Sequence, residues 1–405
     1  MEPSESQSVI PKMDSALLSI LLVSSIGVLG GQLVSPALPI LMQSLDIPEQ
    51  QIGLVMSVFF FSALVSIPVI GVLADVYGRR KLTLLGLILF GVSGTSIAFV
   101  DSFLHLLILR TLQGIGFASL SPLAVTILGD LYKGAMGSTV QGIRGSFHGM
   151  AVLSIPPVAG FLADLSWNYP FLLYSLSLPA AILVFLTLPE TYAPESSHSN
   201  PAILSTFRNY WSSIRYELIK PHLRILFGWH LVGSLLKSTV ITFLPIFIVF
   251  SLGHSAFIAG AVLSFRGLVR IFSSPLAGFL VSYVPKSFAV PFTLSLAAIS
   301  IALIPFYNSL LFIFFLVAIF GIADSLFIPI LNDAVASSTT SKHRGGVVGA
   351  VNTSKPLGKV IGPILFGLIL AYYGFTILFI SAAILCFVYI FMSYLPTKTS
   401  YLSPF

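Results

Sequence analysis

The stretch GVLADVYGRRK, residues 71–81, places one acid, two glycines and three consecutive cations between two long apolar runs. Its surroundings are unlike those of a soluble protein, because 56% of the 405 residues are hydrophobic and only 8% are charged. A soluble domain carries about 25% charged residues. Charge gathered in one short turn between apolar runs is typical of a loop at a membrane surface. The sequence therefore predicts an integral membrane protein.

Apolar runs that are long enough to cross a bilayer recur along the chain. A spanning helix needs about 20 apolar residues, and the first run, which begins at Ser15, is longer than the apolar part of a signal peptide. We therefore predict an all-α protein with twelve spans. The predicted spans are 15–44, 52–74, 82–100, 103–129, 138–163, 169–188, 223–250, 256–282, 288–306, 310–335, 346–371 and 375–395.

The cations between the spans predict the orientation in the membrane. The six turns on one side, the non-basic side, contain no Lys or Arg. The loops and ends on the opposite, basic side contain Lys12, Arg79, Arg80, Lys81, Lys133, Arg208, Arg215, Lys220, Arg224, Lys286, Lys342, Arg344 and Lys398. Because cytoplasmic loops accumulate Lys and Arg, we expect both termini in the cytoplasm of a multi-pass protein of the inner or plasma membrane. This bias explains the formal charge of +6 without nucleic acid as a partner.

A long polar segment divides the chain into two groups of six spans. We predict a cytoplasmic N-terminal segment at 1–14, a first bundle at 15–189, a cytoplasmic linker at 190–222, a second bundle at 223–395 and a cytoplasmic tail at 396–405. A linker between two helical bundles is the simplest explanation of the polar segment.

The two halves repeat one another at a constant shift of 207 residues. The aligned pairs include Pro68 with Pro275, Gly71 with Gly278, Arg79 with Lys286, Gly114 with Gly321, and Pro156 with Pro363. One register without gaps indicates two parallel repeats of six helices. In transporters of this architecture the substrate binds near the middle of the membrane, between halves that rock against each other.

Several motifs resemble those of the major facilitator superfamily. The family's motif A, between the second and third spans, is matched by Gly71, Leu73, Asp75, Gly78, Arg79 and Arg80. RTLQGIG at 110–116 is similar to motif B, and LPET at 188–191 is similar to the usual end of the sixth helix. Motif C is resembled on the eleventh span by Gly349, Gly358, Gly362, Pro363 and Gly367. Together they resemble the twelve-helix group of drug or metabolite/proton antiporters.

The resemblance implies a fold, a mechanism and a set of partners. It implies a monomeric secondary transporter with rocker-switch alternating access, surrounded by membrane lipid, with a small-molecule substrate and without a cofactor or metal. It also implies that Asp75, Arg79 and Asp130 form a charge cluster that latches the outward-facing state. We expect this conformational latch to comprise Gly71, Asp75, Gly78, Arg79, Arg80 and Asp130. In the second repeat Ser282 and Ser337 replace the acids, so a latch on one side only is expected.

Seven cations lie inside predicted spans rather than in loops. They are Arg110, Arg144, Lys237, Arg266, Arg270, Lys355 and Lys359. Each costs about 2.5 to 3.5 kcal/mol at the centre of a span, so each must face water, a partner or a ligand. The resemblance implies that their spans line the central cavity. We therefore predict substrate binding by these seven residues together with His148 and Gln32, with His148 facing Lys355 from the opposite wall.

The surplus of cations favours a small organic solute that is anionic or zwitterionic. Asp324 is an acid within a span, and we predict that it pairs with Lys237. Asp324 and His148 are the candidates for coupling transport to protons, and Trp229, Tyr174 and residues 59–61 are candidates for cavity walls. Three alternatives stay open: a multidrug antiporter that exports hydrophobic compounds, a flippase for an anionic amphiphile, and a membrane sensor that does not transport. Hydrolase and nucleotide-binding motifs are absent from the sequence, so we do not expect an enzyme.

Overall fold

The computed structural model describes residues 13–191, 208, 212, 215, 220–276, 283–338 and 351–394. Eleven helices in this part of the chain are long and apolar enough to cross a membrane. The last of them, Ser354–Tyr394, is interrupted at Gly374, where φ is 76° and ψ is 179°. Glycine adopts this positive φ without the steric cost that other residues meet. The described residues therefore form twelve membrane-crossing segments, which confirms the predicted fold class.

The segments are numbered α1 to α12 in chain order. The first half contains α1 (Ser15–Ser44), α2 (Glu49–Tyr77), α3 (Arg79–Phe99), α4 (Phe103–Leu131), α5 (Gly134–Leu165) and α6 (Tyr169–Thr187). The second half contains α7 (Pro221–Phe250), α8 (Ala256–Ser273), α9 (Lys286–Phe306), α10 (Leu310–Ser337), α11 (354–373) and α12 (375–394). Parts of the predicted linker and of two predicted spans, namely 192–207, 277–282 and 346–350, lie outside the described residues.

The turn between α2 and α3 is the single residue Gly78, so both helices are longer than predicted. Its φ of 98° lies in the region that favours glycine. Glu190 occupies the space beside it, and Glu190 Oε1 accepts hydrogen bonds from the backbone N–H groups of Arg79 at 2.8 Å and Arg80 at 3.3 Å. These bonds satisfy donors that the start of a helix leaves free. Glu190, which follows the end of α6, therefore stabilises the charged turn.

Two hydrogen bonds that join the halves obey the internal repeat. Ser57 Oγ of α2 donates to the carbonyl of Val360 on α11 at 2.7 Å. Ser264 Oγ of α8 donates in the same way to the carbonyl of Leu153 on α5. The shift of 207 residues relates the two donors to each other and the two acceptors to each other. In this pair of bonds each half therefore contributes one donor and one acceptor.

Close backbone approach between the halves follows the same symmetry. Gly53 of α2 lies against the carbonyl of Pro363, and Gly260 of α8 lies against the carbonyl of Pro156. A Cβ at either glycine would clash with that backbone oxygen. Gly53, Gly260 and Pro156 lie toward the non-basic ends of α2, α8 and α5, so the halves are closed on the non-basic side.

The contact of Asp164 at this closure has no counterpart under the repeat. Asp164, at the end of α5, accepts hydrogen bonds from the backbone N–H groups of Ala256 at 2.8 Å and Phe257 at 2.9 Å. These are the first residues of α8, whose free N–H groups and positive dipole end attract a carboxylate. The shift places Ala371 at the equivalent position, and alanine has no acceptor in its side chain. We call this contact the Asp164 cap.

Candidate functional site

A cavity of about 200 Å³ lies between the two halves, among α1, α2, α4, α5, α7, α8 and α11. A second space of about 380 Å³ lies between α5 and α8 and is lined in part by Arg144. His148, Val152 and Arg270 line both spaces, so the two adjoin. We call them together the central cavity.

The C-terminal half gives the cavity a cationic wall. Lys237, Arg266, Arg270 and Lys359 all line it. Lys237 Nζ lies 2.8 Å from Asp324 Oδ2, and Arg270 Nη1 lies 3.8 Å from the same oxygen. The Asp324 side chain is only 8% exposed, so the contact predicted between Lys237 and Asp324 forms in a largely dry place. One carboxylate facing four cations leaves the wall positively charged.

Three buried polar atoms of cavity-lining residues have no hydrogen-bond partner among the described residues. They are Arg266 Nη1, Gln32 Oε1 and Thr242 Oγ1. Arg266 as a whole is 4% exposed. Buried polar groups in folded proteins are nearly always hydrogen-bonded. A solute that carries acceptor oxygens for Arg266 and a donor for Gln32 would complement this set.

Arg110 lies outside the cavity, within the N-terminal half. It is fully buried, its Nε donates to the carbonyl of Val55 at 3.0 Å, and its Nη2 donates to the carbonyl of Gly30 at 3.0 Å. Its Nη1 donates to Gln113 Oε1 at 2.6 Å, and the ring of Phe59 lies 4.4 Å from its Cζ. These bonds join α4 to α1 and α2. The structure thus gives Arg110 a packing role, in place of the predicted contact with substrate.

Lys355 also differs from the prediction. Its Nζ turns toward Asn332 Oδ1 of α10, 3.4 Å away, and it does not line either described space. It therefore does not face His148 across the cavity. Lys359, one turn further along α11, does line the cavity, and its Nζ lies 4.6 Å from the ring centroid of Phe60. The repeat correctly relates the helices but does not fix where a flexible side chain points.

Arg144 and His148 share one face of α5, as predicted from their spacing. Arg144 Nε donates to Gln141 Oε1 at 2.8 Å, and Arg144 Nη1 donates to Ser24 Oγ of α1 at 3.2 Å. The His148 side chain is exposed to the cavity. Arg144 therefore extends the cationic character of the cavity onto the N-terminal half.

The predicted charge cluster forms entirely within the N-terminal half. Arg79 forms an ion pair with Asp130, and Arg79 Nη2 lies 3.4 Å from Asp75 Oδ1. Arg80 donates to the carbonyl of Phe185 and lies 5.3 Å above that residue's ring. The cluster is present while the halves are closed on the opposite, non-basic side. Its role as a latch of the outward-facing state stays a prediction.

The expectation that the second repeat lacks an acid at this place is wrong. Lys286 forms an ion pair with Asp333 at 2.5 Å and donates to Ser337 Oγ at 3.1 Å. Asp333 lies one helical turn before Ser337, and residues four apart project from the same face of a helix. The shift of 207 residues relates Asp130 to Ser337, so a comparison at that shift does not include Asp333. Ser282 lies outside the described residues.

The aromatic candidates separate into cavity residues and others. Phe59 and Phe60 line the cavity, whereas Phe61 is 56% exposed on the surface. Tyr174 is fully buried in the N-terminal half, and Trp229 lines a small pocket within the C-terminal half. Phe117 of α4 also lines the cavity, although the sequence analysis did not select it.

The comparison with protein families is consistent with this geometry. The family model of the Major Facilitator Superfamily matches residues 20–306 and 226–404, which together cover most of the chain. This chain belongs to the Major Facilitator Superfamily. It is therefore a multi-pass membrane transporter and not an enzyme.

Other proteins and solved structures that are similar to this chain agree with the assignment. A bacillibactin exporter of Bacillus subtilis is 26% identical, over 91% of this chain and 92% of the exporter. The multidrug resistance protein MdtG of Proteus mirabilis is 24% identical, over 91% of this chain and 92% of that protein. A crystal structure of a bacterial homolog of the human lysosomal transporter Spinster, inward-facing and unoccupied, superimposes with a TM-score of 0.78 at 16% identity. The superposition includes 95% of this chain and 98% of the chain of that homolog.

Proposed function

We propose that this transporter moves a small organic anion or zwitterion through the central cavity by rocker-switch alternating access. The observation that carries the proposal is the buried Arg266 of the cationic wall, whose Nη1 lacks a hydrogen-bond partner among the described residues. A guanidinium donates to two oxygens of a carboxylate or phosphate at once, which suits it to recognise such groups. The anion would bind at Arg266, on the part of the wall whose charge the Asp324 carboxylate does not neutralise.

The closure on the non-basic side supports the rocking movement. The α2–α11 and α5–α8 contacts must separate before the cavity can open on that side. The positive-inside bias supports placing the basic side, with both termini, in the cytoplasm of the inner or plasma membrane. The structure is then inward-facing, and the transporter acts as a monomer. The names of the exporter and multidrug relatives support export as the direction.

We base the expected sign of the proposed proton coupling on the contacts of Asp324. Protonation of Asp324 removes the partner of Lys237 and Arg270 and leaves their charges available to the solute. A proton and an anion therefore promote each other's binding, and affinity for an anion rises as pH falls. Protonation of His148, which lines the same cavity, adds positive charge and acts in the same direction.

A second candidate is a multidrug antiporter for hydrophobic cations, which the multidrug relative and the phenylalanines of the cavity favour. A cation would pair with the Asp324 carboxylate and compete with protons for it. The affinity for a cation would then fall as pH falls. The sign of the pH dependence therefore separates the two candidates.

The test is a titration of the purified full-length transporter with benzoate and with tetraphenylphosphonium, at several pH values. We expect benzoate to bind, more tightly at low pH, and Arg266→Gln to weaken it by roughly 10- to 150-fold, since a hydrogen bond to a charged group contributes about 1.5 to 3 kcal/mol. Arg224→Gln is the matched control, because Arg224 is exposed at the basic end of α7. Tight binding of tetraphenylphosphonium alone, weakened at low pH, would favour the multidrug candidate.

A further inference from the structure

The two halves give the central cavity chemically different walls. All of its phenylalanines, Phe59, Phe60 and Phe117, come from the N-terminal half. Four of the five Lys and Arg residues that line it, Lys237, Arg266, Arg270 and Lys359, come from the C-terminal half, and the fifth, Arg144, lies in the adjoining space. We propose that the substrate is an aromatic anion bound in one orientation, with its ring on the N-terminal half and its charge on the C-terminal half. The inference rests on the proposed function, because it names the substrate class of the same cavity.

The cavity phenylalanines Phe59, Phe60 and Phe117, which we call the aromatic wall, are fixed by packing within the N-terminal half. The ring of Phe59 lies 5.1 Å from the rings of Phe60 and Phe117, with interplanar angles of 78° and 51°. These distances lie in the range of edge-to-face and tilted aromatic pairs. Phe59 itself is fully buried between the guanidinium of Arg110 and Gly30. Phe60 and Phe117, which are half-buried, therefore present fixed rings to the cavity.

Two glycines of α1 make room beside these rings. A Cβ at Gly31 would lie 3.4 Å from the ring of Phe60, and a Cβ at Gly27 would lie 3.6 Å from the ring of Phe117. Both glycines line the cavity. Larger side chains there would fill the space over the rings. The absence of side chains thus leaves the two phenylalanines open to a flat solute.

The two walls meet at one contact between the halves. Lys359 Nζ lies 4.6 Å from the ring centroid of Phe60, within the distance at which a cation and an aromatic face attract each other. A carboxylate bound to Lys359 is consequently next to the aromatic wall. An acid whose carboxylate is attached directly to its ring can therefore contact Lys359 with its charge and Phe60 with its ring.

Gln32 adds a preference for a donor on the ring. Its Oε1 is buried without a partner among the described residues, and it belongs to α1 on the aromatic side of the cavity. A phenolic hydroxyl or an aromatic amine would donate to this oxygen. The substrate class that fits all of these contacts is a small aromatic carboxylate with a hydroxyl or amino substituent.

The test compares benzoate with cyclohexanecarboxylate, which has the same charge and nearly the same size but no aromatic ring. We expect wild-type protein to bind benzoate about 2- to 10-fold more tightly, as aromatic pairs contribute beyond their buried area. Phe60→Leu should remove this difference. Phe61→Leu is the control, because the neighbouring Phe61 is exposed on the surface. Phe117→Leu replaces Phe60→Leu if that variant does not fold.

The outcomes separate this inference from the proposed function. Equal affinity of wild-type protein for the two acids would overturn the aromatic preference and leave the anionic substrate standing. A preference for benzoate that survives in Phe60→Leu, or in Phe117→Leu where it replaces that variant, would overturn the assignment of the aromatic wall. If neither acid binds, or if Arg266→Gln binds benzoate as wild type does, the proposed function itself fails.

Discussion

Removal of the Asp164 cap should shift the transporter toward the state that is open on the non-basic side. Asp164 belongs to α5 of one half, and the two N–H groups that it accepts from, those of Ala256 and Phe257, begin α8 of the other half. These bonds cannot survive separation of the halves. The cap therefore stabilises the state described here and not its alternative.

The magnitude follows from the contacts. A hydrogen bond to a charged group contributes about 1.5 to 3 kcal/mol, and a carboxylate at a helix N-terminus contributes about 0.3 to 1 kcal/mol. Because the Asp164 side chain is exposed, water compensates for part of the loss. We expect Asp164→Ala to shift the equilibrium by about 1 to 2 kcal/mol, which changes the ratio of the two states by roughly 5- to 30-fold.

The assay is the distance between two spin labels on the non-basic side, measured by double electron–electron resonance. The single cysteine, Cys386, is buried and would be replaced by serine. Labels at Asp101 and Asn308 lie in exposed loops of the two halves. We expect Asp164→Ala to increase the population at the longer distance. Asp46→Asn is the control, because it removes a charge from the same side at a position whose positive φ asparagine tolerates.

Identical distance distributions for Asp164→Ala and wild-type protein would refute the reasoning about the cap. An equal shift in Asp46→Asn would show that the surface charge matters and not the hydrogen bonds. A smaller shift in Asp164→Asn than in Asp164→Ala would support the cap, since asparagine keeps one of the two acceptor oxygens and loses the charge.

Three further substitutions test other contacts. Asp324→Asn frees Lys237 and should raise benzoate affinity while flattening its pH dependence in the same titration; a pH dependence like that of wild type would exclude Asp324 as the proton site. Lys355→Ala should leave benzoate affinity within 2-fold, because Lys355 turns toward α10; a loss as large as that of Arg266→Gln would contradict this placement. Asp75→Asn should slow uptake of labelled benzoate into proteoliposomes more than it weakens binding, and unchanged uptake would remove the latch.

The membrane itself made much of the fold predictable. Spans of about 20 apolar residues and cations confined to one side are requirements of a bilayer, so they appear in any sequence that crosses it. The repeat was visible for a related reason, since Pro156, Pro363 and their partner glycines form the contacts between the halves. The pairing of Lys237 with Asp324 was also foreseeable, because an acid within a span requires a partner.

The site was less predictable because backbone groups leave no trace in a sequence. Arg110 costs the same within a span whether a solute or the carbonyls of Val55 and Gly30 satisfy it, and every residue has a carbonyl. The Asp164 cap was missed for the same reason, as its donors are main-chain N–H groups. Phe117 was missed because one phenylalanine among 34 carries no positional signal.

The paired contacts of Ser57 and Ser264 resemble those of a symmetric dimer. In a two-fold symmetric homodimer, each subunit offers the same patch, so that every contact occurs twice with the partners exchanged. The hydrogen bonds of Ser57 and Ser264 and the close contacts of Gly53 and Gly260 have this property within one chain. A six-helix chain that formed these two seams with a second copy of itself would make the same paired contacts. The halves differ where this symmetry is broken, because the cavity phenylalanines and Asp164 belong to one half, and Lys237, Arg266, Arg270 and Lys359 belong to the other.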